Sequence, residues 1–195
     1  VGEGAALAPL DKYAEAGVIE ICRDMFPSIG NGIVADTSFH YGIPEKAYRY
    51  ALPRDVVDRL HIRKYGAHGT SHRFIWRATA KFTDGQTHKL VSCHLGSGAS
   101  LAAIQDGKDL DTTMGLTPLD GLIMGTRCGT IDPATVCYLQ RVGGYSVDEV
   151  DAMMNKQSGL LALSGVSSDS RDIELGADDG DRNCRMALDM FYSRT

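Results

Sequence analysis

The sequence predicts an α/β protein, because strand patterns and helix patterns are mixed along one chain. The centre contains three predicted strands that form a β-meander: 89–94, 100–105 and 108–111. Glycine turns join these strands, the first at Gly96 and Gly98 and the second at Asp106-Gly107. Such turns are typical of neighbouring antiparallel strands. Amphipathic helices are predicted on both sides of the meander.

The first part of the chain combines helices with short extended runs. Apolar residues from Val18 to Met25 keep the spacing of an amphipathic helix over 12–26, and Pro27 ends it. A short buried strand is predicted over 33–36, where the run ends on a carboxylate. The remaining predicted elements before the meander are two short helices and a strand: 45–50, 54–60 and 61–66.

Several helix starts carry their own sequence signals. Thr70 or Ser71 is the predicted cap of a helix that continues through Phe82 with helical apolar spacing. Three further helices are predicted from caps and periodicity: one after Asp132-Pro133, one after the capping box of Ser146 and Glu149, and one through Cys184, Ala187, Leu188 and Phe191.

Charge and composition exclude several classes of protein. The 195 residues carry a net charge of −5 and no cluster of Lys and Arg, which argues against a nucleic-acid surface. We expect no membrane partner, since no apolar run approaches the roughly 20 residues that span a bilayer and the first residues of this sequence show no signal-peptide pattern. The five cysteines lack CxxC spacing, which indicates reduced thiols in a cytoplasmic protein rather than disulfides or a zinc site.

Both ends of the chain are unusual. The first residue is Val1 rather than Met, and the chain stops at Arg194-Thr195 within a predicted helix. We therefore expect the sequence to be a piece of a longer protein. Apolar surface that the rest of that protein would cover is then exposed, so we also expect low solubility.

The stretch from His94 to Pro133 concentrates features that favour phosphate binding. It contains the turn His94-Leu95-Gly96-Ser97-Gly98 and a Gly- and Thr-rich segment over 112–117. Glycines let the backbone approach an anion closely. Arg127 adds a planar, permanently charged donor for phosphoryl oxygens. A Gly-x-Gly turn alone most often only joins strands, but the three features together predict phosphoryl transfer.

Three other candidates each have a plainer interpretation. Asp36 could face a metal-bound nucleotide, although an Asp that caps a turn is more common. His68 and His72 have a spacing that can bind zinc on a helix, but Gly69-Thr70 between them favours a loop that enters a helix, where an anion fits better. The segment Asp169-Ser170-Arg171 is also compatible with an ordinary capped helix start.

Taken together, these segments closely resemble the acetate kinase family of short-chain acyl kinases. The resemblance covers nearly the whole chain in order. Its most specific motifs are His68-Gly69-Thr70-Ser71-His72 and Met114-Gly115-Leu116-Thr117-Pro118-Leu119. The other matching segments are Leu7 to Leu10, Ala35 to His40, Pro44 to Tyr48, Arg63 to Ala67, 94–133 and Gly165 to Asp172.

The resemblance implies an actin-like ATPase fold, of the ribonuclease H-like type found in sugar kinases and Hsp70, here incomplete. Residues 1–39 would be the end of an N-terminal acyl-binding domain, and residues 40–195 most of a truncated nucleotide-binding domain. ATP or ADP and Mg²⁺ are the implied cofactors, and the partners are a carboxylate and an acyl phosphate. A homodimer is implied for the intact protein, and no metal ligand is assigned.

The same resemblance assigns roles to individual positions. The catalytic residues would be Asp36, placed near the acyl substrate and magnesium, and His68 and Arg127, which stabilise the transferring phosphoryl group. The nucleotide would contact two segments: His94, Leu95, Gly96, Ser97 and Gly98, and Asp169, Ser170 and Arg171. The walls of the small acyl pocket would include Leu10, Ala67 and Pro118.

The chain departs from the family pattern in four ways. It lacks the N-terminal strand with its lysine and the arginine that clamps the carboxylate. It also lacks the C-terminal glycine-rich nucleotide loop and the late glutamate. Asp11 stands where a histidine is usual, and its charge would repel an anionic substrate. Ser97 replaces the usual Asn, and Ala67 replaces the usual Phe, which should enlarge the acyl pocket and permit propionate.

We therefore predict a parent enzyme that phosphorylates acetate or propionate with ATP, reversibly and in one direct in-line step. The chain alone is expected to be inactive. An alternative is a non-catalytic nucleotide-binding remnant, with Asp11 and Ser97 as signs of decay. A third class is a zinc hydrolase using His40, His68 and His72, but no carboxylate has the spacing of zinc proteases.

Overall fold

A computed structural model describes the backbone of residues 9–195 and the side chains of residues 16–195. The side chains of Leu10 and Asp11 therefore lie outside the described part. Before the sheet the elements are helical: α1 (Pro9–Met25), a 3₁₀ helix (Ser38–Gly42), α2 (Glu45–Tyr48), α3 (Arg54–Arg59) and α4 (Gly69–Phe82). The strands are β1 (Lys89–Leu95), β2 (Ala99–Gln105) and β3 (Lys108–Thr112). The elements after them are α5 (Pro133–Arg141), α6 (Val147–Lys156), α7 (Gly159–Ser164), α8 (Ser170–Asp178) and α9 (Arg182–Arg194).

The sheet is the antiparallel meander that the sequence predicts, with β2 between β1 and β3. His94 of β1 lies opposite Ser100 of β2, and Ser92 lies opposite Ala102. Because side chains alternate between the two faces of a strand, Ser92, His94 and Ser100 share one face of the sheet. Helix α4 packs against β1, and its buried His72 contacts both serines of that face.

Two apolar clusters hold the described part of the chain together. The first joins α7, α8 and α9 and consists of Ile123, Leu160, Ile173, Ala177, Cys184, Ala187 and Leu188. The second lies between the sheet and the loops that precede α5, and consists of Ala67, Ala99, Met114, Leu122 and Met124. Fully burying an aliphatic side chain such as Ile173 stabilises the fold by about 1.5–3 kcal/mol. The second cluster anchors the loop that carries Arg127.

The capping signals downstream of the sheet are confirmed. The Asp132 carboxylate accepts a hydrogen bond from the Ala134 N–H at 2.9 Å, with proline at the next position. Ser146 and Glu149 exchange the two hydrogen bonds of a capping box, at 3.2 and 2.8 Å. The last predicted helix is α9.

The buried strand predicted over 33–36 is wrong. The segment has no ladder partner among the described residues and ends in a turn at Asp36. Ile33 and Val34 are exposed, at 66% and 67% of their surface. An apolar run becomes a strand only where a neighbouring strand pairs its N–H and C=O groups, and residues 9–195 offer none beside this segment.

The strand predicted over 61–66 is also wrong. It makes single backbone bonds instead of a ladder: the Lys64 N–H donates to the Tyr48 carbonyl at 2.8 Å, and the Tyr65 N–H donates to the Gly115 carbonyl at 2.9 Å. The segment is therefore held in place as a loop. The helix predicted over 45–50 ends at Tyr48, two residues early.

Between residues 9 and 195, no helix combines the length and the apolar character required to cross a membrane. All five cysteines are free thiols.

Candidate active site

The N-terminus of α4 is capped by Asp36. Its carboxylate accepts hydrogen bonds from the backbone N–H groups of His68 at 2.5 Å and Thr70 at 3.4 Å, and its carbonyl accepts from Gly69 at 2.8 Å. The first N–H groups of a helix lack internal partners and carry partial positive charge, so they stabilise a carboxylate. The prediction that Thr70 or Ser71 caps this helix is wrong, because Asp36 takes that role.

His68 is held in an unusual backbone conformation. It precedes α4 with a φ of 60°, in the left-handed region, which costs a non-glycine residue on the order of 1 kcal/mol. The Ala67 carbonyl lies 2.8 Å from His40 Nε2, which anchors the turn on one side. A Cβ on the neighbouring Gly66 would lie only 2.7 Å from the His40 ring. The tight turn therefore fixes the direction of the His68 side chain.

The ring of His68 is stacked on another imidazole. Its centroid lies 4.0 Å from that of His94, with 19° between the planes. His68 Nδ1 lies 2.9 Å from Ser100 Oγ, and His94 Nδ1 lies 3.0 Å from Ser71 Oγ. Burial, and repulsion from His94 when both rings are charged, lower the pKa of His68 to about 4. At neutral pH His68 is therefore an uncharged hydrogen-bonding group.

Arg127 and His68 converge beside Gly98. A Cβ on Gly98 would lie 3.2 Å from Arg127 Nη1 and 3.4 Å from His68 Nε2. Arg127 Nη1 also donates to the Pro118 carbonyl at 3.2 Å, which orients the guanidinium. Within residues 16–195, no carboxylate forms an ion pair with Arg127. A half-buried guanidinium without a carboxylate partner, next to an imidazole nitrogen, can bind an anion such as a phosphoryl group.

The glycine turn between β1 and β2 contacts the loop at Gly125, which also lies beside Ser168. The Gly125 N–H donates to the Ser97 carbonyl at 3.1 Å. A Cβ on Gly125 would lie 3.4 Å from Ser97 Oγ and 3.2 Å from the Ser168 carbonyl, so a side chain there would push the loops apart. The turn that the resemblance assigns to nucleotide phosphates therefore lies close to the start of the assigned 169–171 segment.

Asp169 caps α8, which is the plainer interpretation of its segment. Its carboxylate accepts a hydrogen bond from the Arg171 N–H at 3.0 Å and pairs with the Arg171 guanidinium at 2.5 Å. These hydrogen bonds lower the pKa of Asp169 to about 2. Ser170, the first residue of α8, is exposed. Contact of this segment with a nucleotide stays a prediction.

The residues assigned to the acyl pocket lie in different settings. Pro118 is half-buried, and its carbonyl holds Arg127 at the candidate site. Ala67 is buried in the second apolar cluster, with Ala99 and Met114. The side chain of Leu10 is not among those described. A role of these residues in acyl binding stays a prediction.

The polar groups buried behind the start of α4 were not predicted from the sequence. The His72 ring lies between Ser92 Oγ at 2.9 Å and Ser100 Oγ at 2.8 Å. His40 Nδ1 lies 2.5 Å from a carboxylate oxygen of Asp109, and both side chains are fully buried. The available signal was the alternation of polar residues along β1 and β2, which places several of them on one face of the sheet.

His40, His68 and His72 are not arranged as ligands of one metal ion. Both ring nitrogens of His40 face protein groups, the Asp109 carboxylate and the Ala67 carbonyl. Both nitrogens of His72 face serine hydroxyls. In the part of the chain with described side chains, no group of three or more His, Cys, Asp or Glu could hold a metal ion.

Curated relatives are similar to this chain in sequence. The profile of the acetokinase family matches residues 1–195. "Acetate kinase 2" of Clostridium perfringens is 50% identical over 194 residues, which is 97% of this chain and 48% of that protein. The acetate kinase of Halothermothrix orenii is 45% identical over 100% of this chain and 49% of its own length. The chain thus spans about half the length of the curated relatives it matches.

Solved structures share the fold. A propionate kinase from Francisella tularensis superposes with a TM-score of 0.94 at 43% identity, over 98% of this chain and 50% of that one. The acetate kinase of Porphyromonas gingivalis superposes with a TM-score of 0.93 at 38% identity, over 99% and 49%. The predicted actin-like ATPase fold is therefore confirmed for the part present here. This chain belongs to the acetokinase family.

Proposed function

We propose that the protein containing this chain transfers a phosphoryl group between ATP and a short-chain carboxylate such as acetate or propionate. The observation that carries the proposal is the convergence of Arg127 Nη1 and His68 Nε2 beside Gly98. The names of the relatives, acetate kinases and a propionate kinase, support this class of substrate.

The chemistry requires placement and charge stabilisation more than covalent help from the protein. Arg127 faces the phosphoryl oxygens as a permanent cation, and His68 donates a hydrogen bond from Nε2. A carboxylate oxygen attacks the γ-phosphorus in line, and the bond from that phosphorus to the leaving oxygen of ADP breaks. One direct step gives the acyl phosphate and ADP, and the reverse step uses the same groups.

Asp36 supplies the negative charge of the site. Magnesium prefers carboxylate oxygens and is usually bound through one or two of them together with nucleotide phosphates. The Asp36 carboxylate is exposed, and its hydrogen bonds to the start of α4 orient it, so it fits a role in holding magnesium. The ion, when bound, would neutralise negative charge on the phosphates.

The nucleotide is assigned to the other side of the site. In this proposal the turn 94–98 lies along the phosphates of ATP or ADP, and the segment 169–171 contacts the nucleotide further away. The contact of Gly125 with both Ser97 and Ser168 supports this assignment, because it brings the two segments close together.

The wider organisation is also a proposal. Residues 1–39 would belong to an acyl-binding domain and residues 40–195 to a nucleotide-binding domain. Asp36 and His68, which meet at the start of α4, would then come from opposite sides of the domain boundary. We place the protein in the cytoplasm, where its free thiols stay reduced, and expect the full protein to form a homodimer.

An acyl-hydroxamate assay with ATP, magnesium and either acetate or propionate tests the proposal. It compares this chain with a version extended to the length of its relatives. Acyl phosphate is expected only from the extended protein, with propionate accepted because of Ala67. Turnover of propionate equal to or below that of acetate would count against an enlarged pocket. A folded, extended protein that binds ADP without forming acyl phosphate would favour the non-catalytic alternative.

A further inference from the structure

A buried chain of hydrogen bonds runs from the core to the ring of His68. Ser92 Oγ lies 2.9 Å from His72 Nδ1, and His72 Nε2 lies 2.8 Å from Ser100 Oγ. The same Ser100 hydroxyl lies 2.9 Å from His68 Nδ1. Ser92, His72 and Ser100 are at most 2% exposed. These groups therefore satisfy one another's hydrogen-bonding needs.

The number of protons in this chain is limited. His72 is fully buried between two serine hydroxyls, so it is neutral and has a single ring proton. The neutral imidazole of His68 also has a single ring proton. Each serine hydroxyl has one proton to donate. Ser100 lies between the two imidazoles, and its buried proton needs one of them as its acceptor. The chain therefore runs in one of two directions, according to which imidazole accepts that proton.

The two directions give different forms of His68. In the forward direction Ser92 donates to His72, and His72 donates to Ser100. Ser100 then donates to His68 Nδ1, which leaves the His68 proton on Nε2. In the reverse direction donor and acceptor exchange roles at each of the three contacts. Ser100 then donates to His72, and the His68 proton lies on Nδ1.

The position of Ser92 favours the forward direction. In the reverse direction Ser92 accepts from His72, and its own proton needs a second partner. Among the residues with described side chains, His72 Nδ1 is the group in hydrogen-bonding contact with Ser92 Oγ. A buried donor without an acceptor costs about 1–3 kcal/mol. In the forward direction every proton within the chain has an acceptor.

We propose that Ser92, His72 and Ser100 are positioning residues that hold His68 in the tautomer with its proton on Nε2. Nε2 is the atom that lies beside Gly98 together with Arg127 Nη1. This tautomer therefore directs two hydrogen-bond donors at one gap. The catalytic consequence rests on the proposed function: a phosphoryl oxygen accepts a hydrogen bond from the protonated Nε2, whereas the lone pair of an unprotonated Nε2 would repel that oxygen.

The tautomer can be read by NMR without any catalytic assay. Two-bond proton–nitrogen correlation spectra of the chain, labelled with ¹⁵N-histidine, distinguish protonated from unprotonated ring nitrogens. In the unsubstituted chain at neutral pH we expect His68 to be protonated at Nε2. Ser100→Ala removes the donor to Nδ1, so the two His68 nitrogen shifts are expected to move toward each other as the tautomers mix.

Two further variants make this experiment specific. Ser71→Ala is the matched control, because that hydroxyl contacts His94 instead, and it is expected to leave the His68 tautomer unchanged. Ser100→Cys keeps the shape of the side chain but donates weakly, so a smaller shift in the same direction is expected. Ser100→Cys takes the place of Ser100→Ala in the experiment if the alanine variant does not fold.

Kinetics of the extended protein distinguish positioning from a merely structural role. Ser100→Ala is expected to lower kcat roughly tenfold while KM for acetate stays nearly constant. This loss is smaller than the factor on the order of 100 that removal of a transition-state donor costs, because part of the population keeps the correct tautomer.

Two results would overturn the inference. One is an unsubstituted chain in which His68 is protonated at Nδ1, and the other is a set of His68 nitrogen shifts that neither Ser100 variant changes. Nε2 protonation in an extended protein that forms no acyl phosphate would support the hydrogen-bond chain and contradict the proposed function. Failure of the proposed hydrogen-bond chain and failure of the proposed function therefore give different results.

Discussion

Gly98 leaves the space in which His68 and Arg127 meet. Its φ lies outside the left-handed region, so alanine fits the backbone and only the space is affected. The added methyl group would lie 3.2 Å from Arg127 Nη1 and 3.4 Å from His68 Nε2, where the proposal places a phosphoryl oxygen. We expect Gly98→Ala to lower kcat of the extended protein on the order of 100-fold, measured by the hydroxamate assay.

The matched control for Gly98→Ala is Gly32→Ala. A Cβ on Gly32 meets nothing within 4 Å, so activity is expected to stay within a factor of about two. Equal activity of the Gly98→Ala and unsubstituted proteins would contradict the placement of the phosphoryl group.

The buried pair of His40 and Asp109 supports the turn that precedes His68. Burial raises the pKa of Asp109, and its Oδ1 has no hydrogen-bond partner among the described residues. Removing one partner of a buried pair leaves the other unpaired, at a cost of about 3–5 kcal/mol. We therefore expect Asp109→Ala to lower the free energy of unfolding by about 3 kcal/mol, measured by urea denaturation followed by circular dichroism.

Asp58→Ala is the control for the buried pair. Asp58 pairs with Arg49 at 3.1 Å on the surface, where its side chain is 55% exposed. Exposed pairs contribute about 0–1 kcal/mol, so only a small loss is expected. Similar losses in the two variants would show that burial of the His40 pair has no special effect.

His72 makes the stability of the fold depend on pH. Its pKa is lowered to about 4 from 6.5, chiefly by burial, so below pH 6.5 the unfolded chain takes up a proton that the folded chain does not. This contribution to the free energy of unfolding is complete above pH 6.5 and is lost as pH falls toward 4. Denaturation between pH 7 and 5 should show the fall, and His72→Gln should make it shallower.

The exposed His88 provides the comparison for His72. Its side chain is 75% exposed, so His88→Gln controls for the loss of a histidine at the surface. A His72→Gln protein with the same pH dependence as the unsubstituted chain would contradict the lowered pKa.

At the scale of elements, the sequence predicted the structures that depend on residues close together in the chain. The β-meander and the cap at Asp132 follow from residues next to one another in sequence, and both are confirmed. The strands expected over 33–36 and 61–66 are absent because strand formation depends on a distant partner, which a single run of residues does not reveal.

The candidate site was predictable to the same extent. Arg127 and the glycine turn around Gly98 could be singled out because, together with the Gly- and Thr-rich segment over 112–117, their residue types favour an anion. The cap on α4 by Asp36 could not, since the two groups are 32 residues apart in sequence. The contacts of His72 with Ser92 and Ser100 span 20 and 28 residues, and they depend on how α4 crosses the sheet.

The start of α4 allows stability and activity to be separated. Asp36→Ala removes a helix cap and is expected to lower the free energy of unfolding by about 1 kcal/mol. Asp181→Ala removes the equivalent cap of α9, where the carboxylate accepts from Asn183 and Cys184, so a similar loss is expected. In the extended protein only Asp36→Ala should abolish acyl phosphate formation. If the Asp36→Ala protein retains activity, the catalytic role of Asp36 is contradicted.

At the scale of the whole molecule, the helix spacing of α1 is confirmed, but its apolar face is uncovered. Val18, Ile21 and Met25 are exposed at 59%, 58% and 66%. Among the elements described in residues 9–195, none makes an extensive contact with α1. An apolar face of this kind is normally covered by another part of a protein, so low solubility of the chain by itself stays a prediction.

The most direct test of the account is the acyl-hydroxamate assay on the extended protein with Arg127→Ala. Because a cation at the phosphoryl group stabilises the transition state by a factor of about 10³ or more, we expect kcat to fall on the order of 1000-fold. Arg59→Ala, on the exposed surface of α3, should retain full activity. A folded Arg127→Ala protein that forms acyl phosphate at the unsubstituted rate would contradict the assignment of this site to phosphoryl transfer.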